Sequence, residues 1–250
     1  MTAGPAQAPP GSAFTAADFR DIYPPGIERH YWNHARNRIV LGLVRRFALG
    51  DSVLDVGCGT GLVTAFLRRH NVDCRGCDLG VSRPSEASVA PYLNLGVDAC
   101  DLAPDLRRRV RTILLLDVLE HLERPRDMLA RLRSAFPALR GIVFTVPARM
   151  DLWSNYDTRN RHYLRYDART VHDLAEPNQF SLRRWSYFFH ALYPPARLMR
   201  LLGIDRRTEL RPPGIPALHT LLAAAFVAER HLLPRHLPGS SIWGVLHRVG

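Results

Sequence analysis

Val53-Leu-Asp-Val-Gly-Cys-Gly-Thr-Gly61 is an apolar run that ends in an acid and then in three glycines at alternate positions. Val53, Leu54 and Val56 have the character of a buried strand. Leu62 to Arg69 then takes helical spacing, with Leu62, Ala65, Phe66 and Arg69 on one side. The glycines therefore lie between a strand and a helix N-terminus, where the chain turns sharply and bare backbone comes close to a bound molecule. Unpaired N–H groups at that junction suit a polar ligand. A glycine-rich turn without a ligand is the bland alternative. The spacing Asp55-x-Gly-x-Gly-x-Gly61 is not the G-x-G-x-x-G of dinucleotide-binding folds. A phosphate-binding P-loop is excluded as well, because the chain has no lysine.

The 250 residues, 46% of them hydrophobic, suffice for one sizeable α/β domain with an appendage. Residues 1–13 are rich in Ala, Pro and Gly and read as a disordered tail, 14–50 as an N-terminal helical cap, and 51–250 as the main domain. Ile27 to Phe47 is helical in pattern and leads into the glycine motif. Apolar strands follow at Val53–Val56, Val72–Cys77, Val97–Cys100, Thr112–Leu116 and Ile142–Val146, alternating with helices. That alternation predicts a Rossmann-like, doubly wound, mostly parallel sheet. Pro125 opens the helix before the fifth strand, whose buried stripe is Met128, Leu129, Leu132 and Phe136. Phe180–Phe189 and Ser241–His247 are two further strands. Between them, about 191–238, runs an excursion too long for a plain loop, with a helix at Ala217–Leu233. The apolar core of that helix, Leu221 to Ala228, is too short to cross a bilayer. A helix packed on the domain and a helix facing a membrane surface both fit it.

All 34 basic residues are arginine and the net charge is +11. A nucleic-acid partner is therefore not excluded, although clusters such as Arg107-Arg108-Arg109 read as a solvated face. The four cysteines, with no signal-like apolar segment at the N-terminus, predict a reduced, cytoplasmic setting. Cys74 and Cys77 have the C-x-x-C spacing, but on a strand they face opposite sides and there is no second pair, so core packing is expected.

Ligands of such sheets sit beyond the carboxyl ends of the strands. Asp78 ends the second predicted strand, twenty-one residues after Gly57, and Asp101-Leu102 follows the third. Asp117-Val-Leu-Glu-His121 follows the fourth. After the fifth comes Trp153-Ser-Asn-Tyr-Asp157, then His162, Arg165 and Tyr166. An acid at the position of Asp78 can accept from both hydroxyls of a ribose.

Leu54-Asp-Val-Gly-Cys-Gly-Thr-Gly61 resembles the first motif of class I S-adenosylmethionine (SAM)-dependent methyltransferases. Leu116-Asp-Val-Leu-Glu-His-Leu122 is similar to the segment that small-molecule members place beneath the methyl donor. With Glu28-Arg-His-Tyr-Trp32 and Arg36, the Trp-Ser-x-x-Asp stretch resembles one branch of these enzymes, so the likeness runs from about residue 27 to 249. It implies a seven-stranded sheet closed by a C-terminal antiparallel hairpin, with SAM as cofactor. Residues 57–61, among them Gly57, Cys58, Gly59 and Gly61, would hold SAM with Asp55, Asp78, Leu79, Asp101, Leu102, Asp117 and Arg36. Asp78 would take the ribose, Asp101 and Leu102 the adenine, and Arg36 the region of the carboxylate.

His121 is the first candidate for a base that takes the acceptor's proton, and Glu120 and His162 complete the catalytic set. An imidazole bonded to backbone is the alternative for His121. Trp153, Asp157, Arg165 and Tyr166 would line the acceptor side, or else form a hydrogen-bonded structural corner. The Pro-Pro-aromatic sequence of nucleobase amino methyltransferases is absent at the Asp117 position. Ubiquinone-biosynthesis O-methyltransferases carry a metal-linked Glu-x-x-Glu-His there; Asp117 replaces the first Glu, and no metal ligand is assigned. The expected activity is methyl transfer to a small or lipid-like acceptor, at oxygen, with peripheral membrane contact left open. An RNA or protein methyltransferase and a non-catalytic SAM-binding scaffold are the alternatives.

Overall fold

The computed structural model describes residues 14–47, 52–175, 179–205 and 214–249; the tail expected at 1–13 lies outside them. Seven strands form one sheet in the order β3-β2-β1-β4-β5-β7-β6. They are β1 (Ser52–Val56), β2 (Asp73–Asp78), β3 (Leu93–Leu95), β4 (Thr112–Leu116), β5 (Gly141–Pro147), β6 (Phe180–Phe188) and β7 (Ser241–Arg248). The first five are parallel, and β7 inserts antiparallel between β5 and β6. This is the expected doubly wound sheet with its C-terminal hairpin.

Alternation along the strands builds a core on each face. Leu54, Ile113, Leu115, Ile142 and Phe144 point to one face and pack under Leu129 and Leu132 of α5 (Pro125–Ala135) and its C-cap Phe136. Val53, Leu114, Val143 and Val245 point to the other, under α2 (Tyr31–Phe47) and α3 (Leu62–Arg69). Each side chain buried this fully is worth about 1.5–3 kcal/mol. Cys74 belongs to the second core and Cys77 to the first, so the two thiols lie on opposite faces as their spacing implied.

Two local expectations need correction. The third strand is Leu93–Leu95, and Val97–Cys100 is not a strand. Gly96 turns the chain at φ 75°, Val97 N–H donates to the Asp78 carbonyl, and the Asp98 carboxylate caps a 3-10 turn (Ala99–Asp101) through Cys100 N–H. Asp98 side-chain bonding to the backbone thus wins over the apolar pattern. On α3 the buried face includes Val63, Thr64 and Leu67 besides Leu62 and Ala65, while Arg69 is exposed.

Shorter helices complete the chain: α1 (Ala16–Ile22), α4 (Pro104–Arg109), α6 (Asn155–Arg159) and α7 (Ala168–Ala175). Thr15 and Asp18 form a reciprocal capping box at the start of α1. The late excursion holds α8 (Tyr193–Leu201) and α9 (Pro216–Leu232), the latter packed along α2.

Candidate active site

The site is built at the carboxyl ends of β1, β2, β4 and β5. After β1, Gly57, Gly59 and Gly61 take φ of 76°, 55° and 76°, a left-handed turn that only glycine adopts freely. Gly57 and Cys58 N–H both donate to the Cys77 carbonyl, which ties the loop to β2. The Cys58 side chain turns inward against Gly76, so neither its thiol nor its N–H is presented to the cleft. Gly59 N–H donates to Asp78 Oδ2 at 2.8 Å and Gly80 N–H to Oδ1 at 2.7 Å. Each oxygen of Asp78 keeps a lone pair beyond these bonds, enough to accept a hydroxyl. Burial raises the pKa of Asp78, and the two N–H donors pull it back.

Asp55 is fully buried inside the sheet and accepts from the Thr64 hydroxyl at 3.1 Å. Burial raises its pKa to about 7, against the opposing pull of that hydroxyl and of Arg36. Asp55 therefore braces the start of α3. Leu79 is half-buried next to Asp78. Asp101 is exposed at the end of its 3-10 turn, and Leu102 is packed into the first core.

Arg36, on α2, reaches across to Asp117 after β4. The guanidinium lies 4.5 Å from the Trp32 ring centroid, and its Nε is buried with no partner. Asp117 holds φ 57° and donates its N–H to the Thr145 carbonyl. Thr60 Oγ1, in the glycine loop, is also buried without a partner. Two orphaned polar atoms, a loop whose three glycines leave its backbone bare and a carboxylate with spare lone pairs fit a polar nucleoside-bearing ligand.

One short turn joins this half to the other. Val118, next to Asp117, packs so closely on Gly57 that a Cβ there would stand 2.6 Å from it. Three residues on, the His121 ring meets the His162 ring edge-on at 4.7 Å. His162 shares a 2.9 Å hydrogen bond between Nδ1 and Asp157 Oδ1; an ionised Asp157 requires Nδ1 to be the donor, which leaves Nε2 free. Asp157 also accepts from Ser154 N–H and hydroxyl, and pairs with Arg165 Nε at 3.3 Å. His162, Arg165 and the Ser154 N–H together lower its pKa against its burial. Arg165 Nη1 donates to the Leu152 carbonyl, and the buried Tyr166 donates its hydroxyl to the Leu119 carbonyl at 3.0 Å. Asp157, Arg165 and Tyr166 thus take the geometry of the structural corner, with His162 at its edge and Trp153 half-buried beside it.

Glu120 is fully buried, and one of its oxygens has no partner. Burial, then the nearby Asp117 carboxylate, pushes its pKa well up. Burial, then repulsion from His162, brings His121 down to about 4. One donor atom each from Glu120, His121 and His162 lies within 4.8 Å of the others, a set able to hold a divalent metal. Asp117, engaged with Arg36, is outside it.

Three aromatic residues that the sequence reading did not single out roof this cleft. Tyr23, just past α1, lies against Gly59; Phe19 lies against Gly80; and Phe14 packs edge-on against His121 at 5.1 Å. The available signal was the placement of Phe14 just before the Thr15–Asp18 capping box and of Phe19 at the fourth helical position, with Tyr23 one turn on and Pro24-Pro25 after it.

A family model described as a methyltransferase domain matches residues 29–191. A search of curated proteins gives no match. Solved structures of similar fold include the 1,6-didemethyltoxoflavin-N1-methyltransferase of Burkholderia thailandensis with bound 1,6-didemethyltoxoflavin and S-adenosylhomocysteine. It is 15% identical at a TM-score of 0.56, covering 94% of this chain and 84% of that one. Phosphoethanolamine N-methyltransferase 2 of Haemonchus contortus in complex with SAM is 14% identical at 0.54, over 96% and 61%. The magnesium protoporphyrin IX methyltransferase of Synechocystis PCC 6803, bound to S-adenosylhomocysteine, is 15% identical at 0.51, over 86% and 83%. At these identities the likeness is one of fold.

Proposed function

The chain belongs to the methyltransferase-domain family and is a SAM-dependent methyltransferase, and from that premise we propose that it methylates an oxygen of a small or lipid-like acceptor. SAM supplies a methyl group on a sulfonium, open to in-line displacement. The glycine loop lets backbone approach it, Asp78 accepts from its ribose hydroxyls, and the free Arg36 Nε faces its polar end. Tyr23 and Phe19 exclude water from above. Positioning of this kind can contribute several kcal/mol to the rate.

The observation that carries the acceptor reading is His162, locked by Asp157 so that Nε2 is left to take a proton from a hydroxyl. His121, held near 4 by burial and then by His162, is uncharged at neutral pH and packs edge-on against the His162 ring. The half-buried Trp153 offers an apolar wall, while Arg165 and Tyr166 act by holding the corner.

The test is transfer from labelled SAM into a cell extract separated into aqueous and organic-soluble fractions, run beside calorimetric SAM binding. Wild type should bind SAM and label one fraction, and Asp78→Ala should do neither. His162→Gln should keep SAM affinity and lose at least tenfold in turnover, with a larger loss than His121→Gln. SAM binding with no label in any fraction would leave the non-catalytic scaffold. Label in RNA, with affinity that falls steeply with salt, would favour the nucleic-acid alternative that the +11 charge keeps open.

A further inference from the structure

The outward faces of α8 and α9 break the rule for a helix on a soluble domain. Among the described residues, eleven of the fifteen large hydrophobic side chains that stand exposed fall between 198 and 237. The inner face of α9 is accounted for: Ala223 and Phe226 are buried, and Phe226 meets Tyr31 and Phe189. At about 100° per residue, Leu218, Leu221, Ala225, Ala228 and Leu232 project on the opposite side. All are exposed, Leu221 by 68% and Leu232 by 79%. A solvent-facing side should be polar there. On α8, Leu198 and Leu201 are more than half exposed, as is Leu202 just beyond it.

Charge decides what covers this surface. Arg200 and Arg235 are exposed next to the leucines, and Arg38 and Arg46 are exposed on α2, along which α9 packs. The described acids nearby are all engaged except Asp205: Glu229 accepts from the N–H groups of His190 and Ala191, Asp151 pairs with Arg149 and Arg197, and Glu28, beside Pro216 and Thr220, pairs with Arg29. Leucines flanked by guanidinium groups suit the boundary between acyl chains and anionic headgroups. A second copy of the chain would instead bring arginine against arginine, which opposes pairing. No described helix is long and apolar enough to cross a membrane, so the mode would be peripheral.

We propose that the outer faces of α8 and α9 dock this enzyme on an anionic lipid bilayer. The surface is tied to the acceptor side of the cleft. Tyr193 of α8 donates its hydroxyl to Asp151, Arg197 pairs with the same carboxylate, and Arg149 lies over the Tyr193 ring. Asp151 belongs to the loop that follows β5 and carries Trp153. Docking therefore rests on, and narrows, the lipid-like branch of the acceptor reading.

The experiment is flotation of the full chain with phosphatidylcholine vesicles, with and without phosphatidylglycerol. Binding is expected only with the anionic lipid, weakening as salt rises. Leu221→Glu/Leu232→Glu should reduce it by about tenfold or more, and Leu201→Glu/Leu202→Glu should do the same from the other helix. Circular dichroism and SAM calorimetry on both variants should match wild type, since glutamate is a good helix former. Absence of binding to either vesicle overturns the proposal, as does equal binding by folded double variants. A concentration-dependent dimer in sedimentation that the same variants abolish also overturns it, in favour of a self-interface. Failure of methyl transfer with vesicle binding intact would count against the enzymatic reading alone. The reverse result would count against docking alone.

Discussion

The two halves of the cleft solve opposite problems. The donor half, Gly57 to Gly80 with Arg36 of α2, keeps polar groups in reserve: Arg36 Nε and Thr60 Oγ1 are buried without partners, and Asp78 has lone pairs to spare. The acceptor half, from Ser154 to Tyr166, spends its groups on itself. Asp157 takes three hydrogen bonds from Ser154 and His162 and an ion pair from Arg165, and Arg165 and Tyr166 are fastened to backbone carbonyls. An unsatisfied buried group costs about 1–3 kcal/mol unless a ligand completes it. Ligand binding should therefore stabilise the donor half, while the acceptor half should already be rigid.

Asp157→Asn is the substitution that would break this contrast hardest. It puts an amide among groups that all donate, so Arg165 and His162 lose their anion. Removing one partner of a buried ion pair costs about 3–5 kcal/mol. Urea unfolding should show a loss of that order, with SAM affinity by calorimetry changed less than about threefold. A parallel collapse of SAM affinity would mean that the halves act as one unit through Val118 and His121.

Gly59→Ala probes the other half. The residue sits at φ 55°, and an added Cβ would stand 2.9 Å from the Tyr23 ring. The left-handed conformation alone costs a non-glycine residue about 1–2 kcal/mol. Displacing Tyr23 adds the loss of the roof, so SAM affinity should fall about a hundredfold, or about 2.7 kcal/mol. Turnover on bound donor would fall less. Unchanged affinity would remove Tyr23 from the donor site.

The contrast also explains what could be read from the sequence. The donor half is local: a strand, three glycines and an acid at the next strand end, each dictated by backbone geometry, and the helix Leu62–Arg69 followed directly. The sheet was legible for the same reason, apart from β3. There three residues at a sheet edge, followed by Gly96 and the Asp98 cap, outweighed the apolar run after them. The acceptor half depends on distance in the chain. Nothing in the sequence states that His121 and His162 touch, or that Tyr166 reaches the Leu119 carbonyl across 47 positions. Arg36 and Asp117 were both placed near SAM, but not against each other. Phe14, Phe19 and Tyr23 are silent in the sequence because aromatics in and around a short helix read as core until the surface beneath them is known.

Tyr166→Phe sharpens the comparison with a smaller effect. It removes one hydrogen bond between the corner and the turn after β4 while keeping the ring packed, a loss of about 1 kcal/mol. The Leu119 carbonyl is then left unsatisfied. His162 should be held less firmly, so turnover falls a few-fold with SAM affinity unchanged; a drop in affinity instead would place Tyr166 with the donor.

The smallest effect in the wild type is its dependence on pH, because buried carboxyls and buried histidines pull in opposite directions over one range. Asp55 has an ordinary pKa of 3.8 and burial holds it at about 7 in the folded protein. Between these values the folded state binds a proton that the unfolded state has lost, so stability falls as pH rises. Raised carboxyls at Asp78 and Glu120 act in the same sense. His121 has an ordinary pKa of 6.5 and is held at about 4, by burial first and His162 second. Between those values it is the unfolded state that binds the extra proton, so stability rises with pH; His30, lowered by burial and His219, adds to this. The opposed slopes should leave a shallow profile in urea unfolding from about pH 4.5 to 6.5. Asp55→Asn should tilt it upward with pH, and His121→Gln should tilt it downward. Parallel profiles in the two variants would show that Asp55 and His121 do not carry charge of opposite cost, and the contrast between the halves would then be one of hydrogen bonding alone.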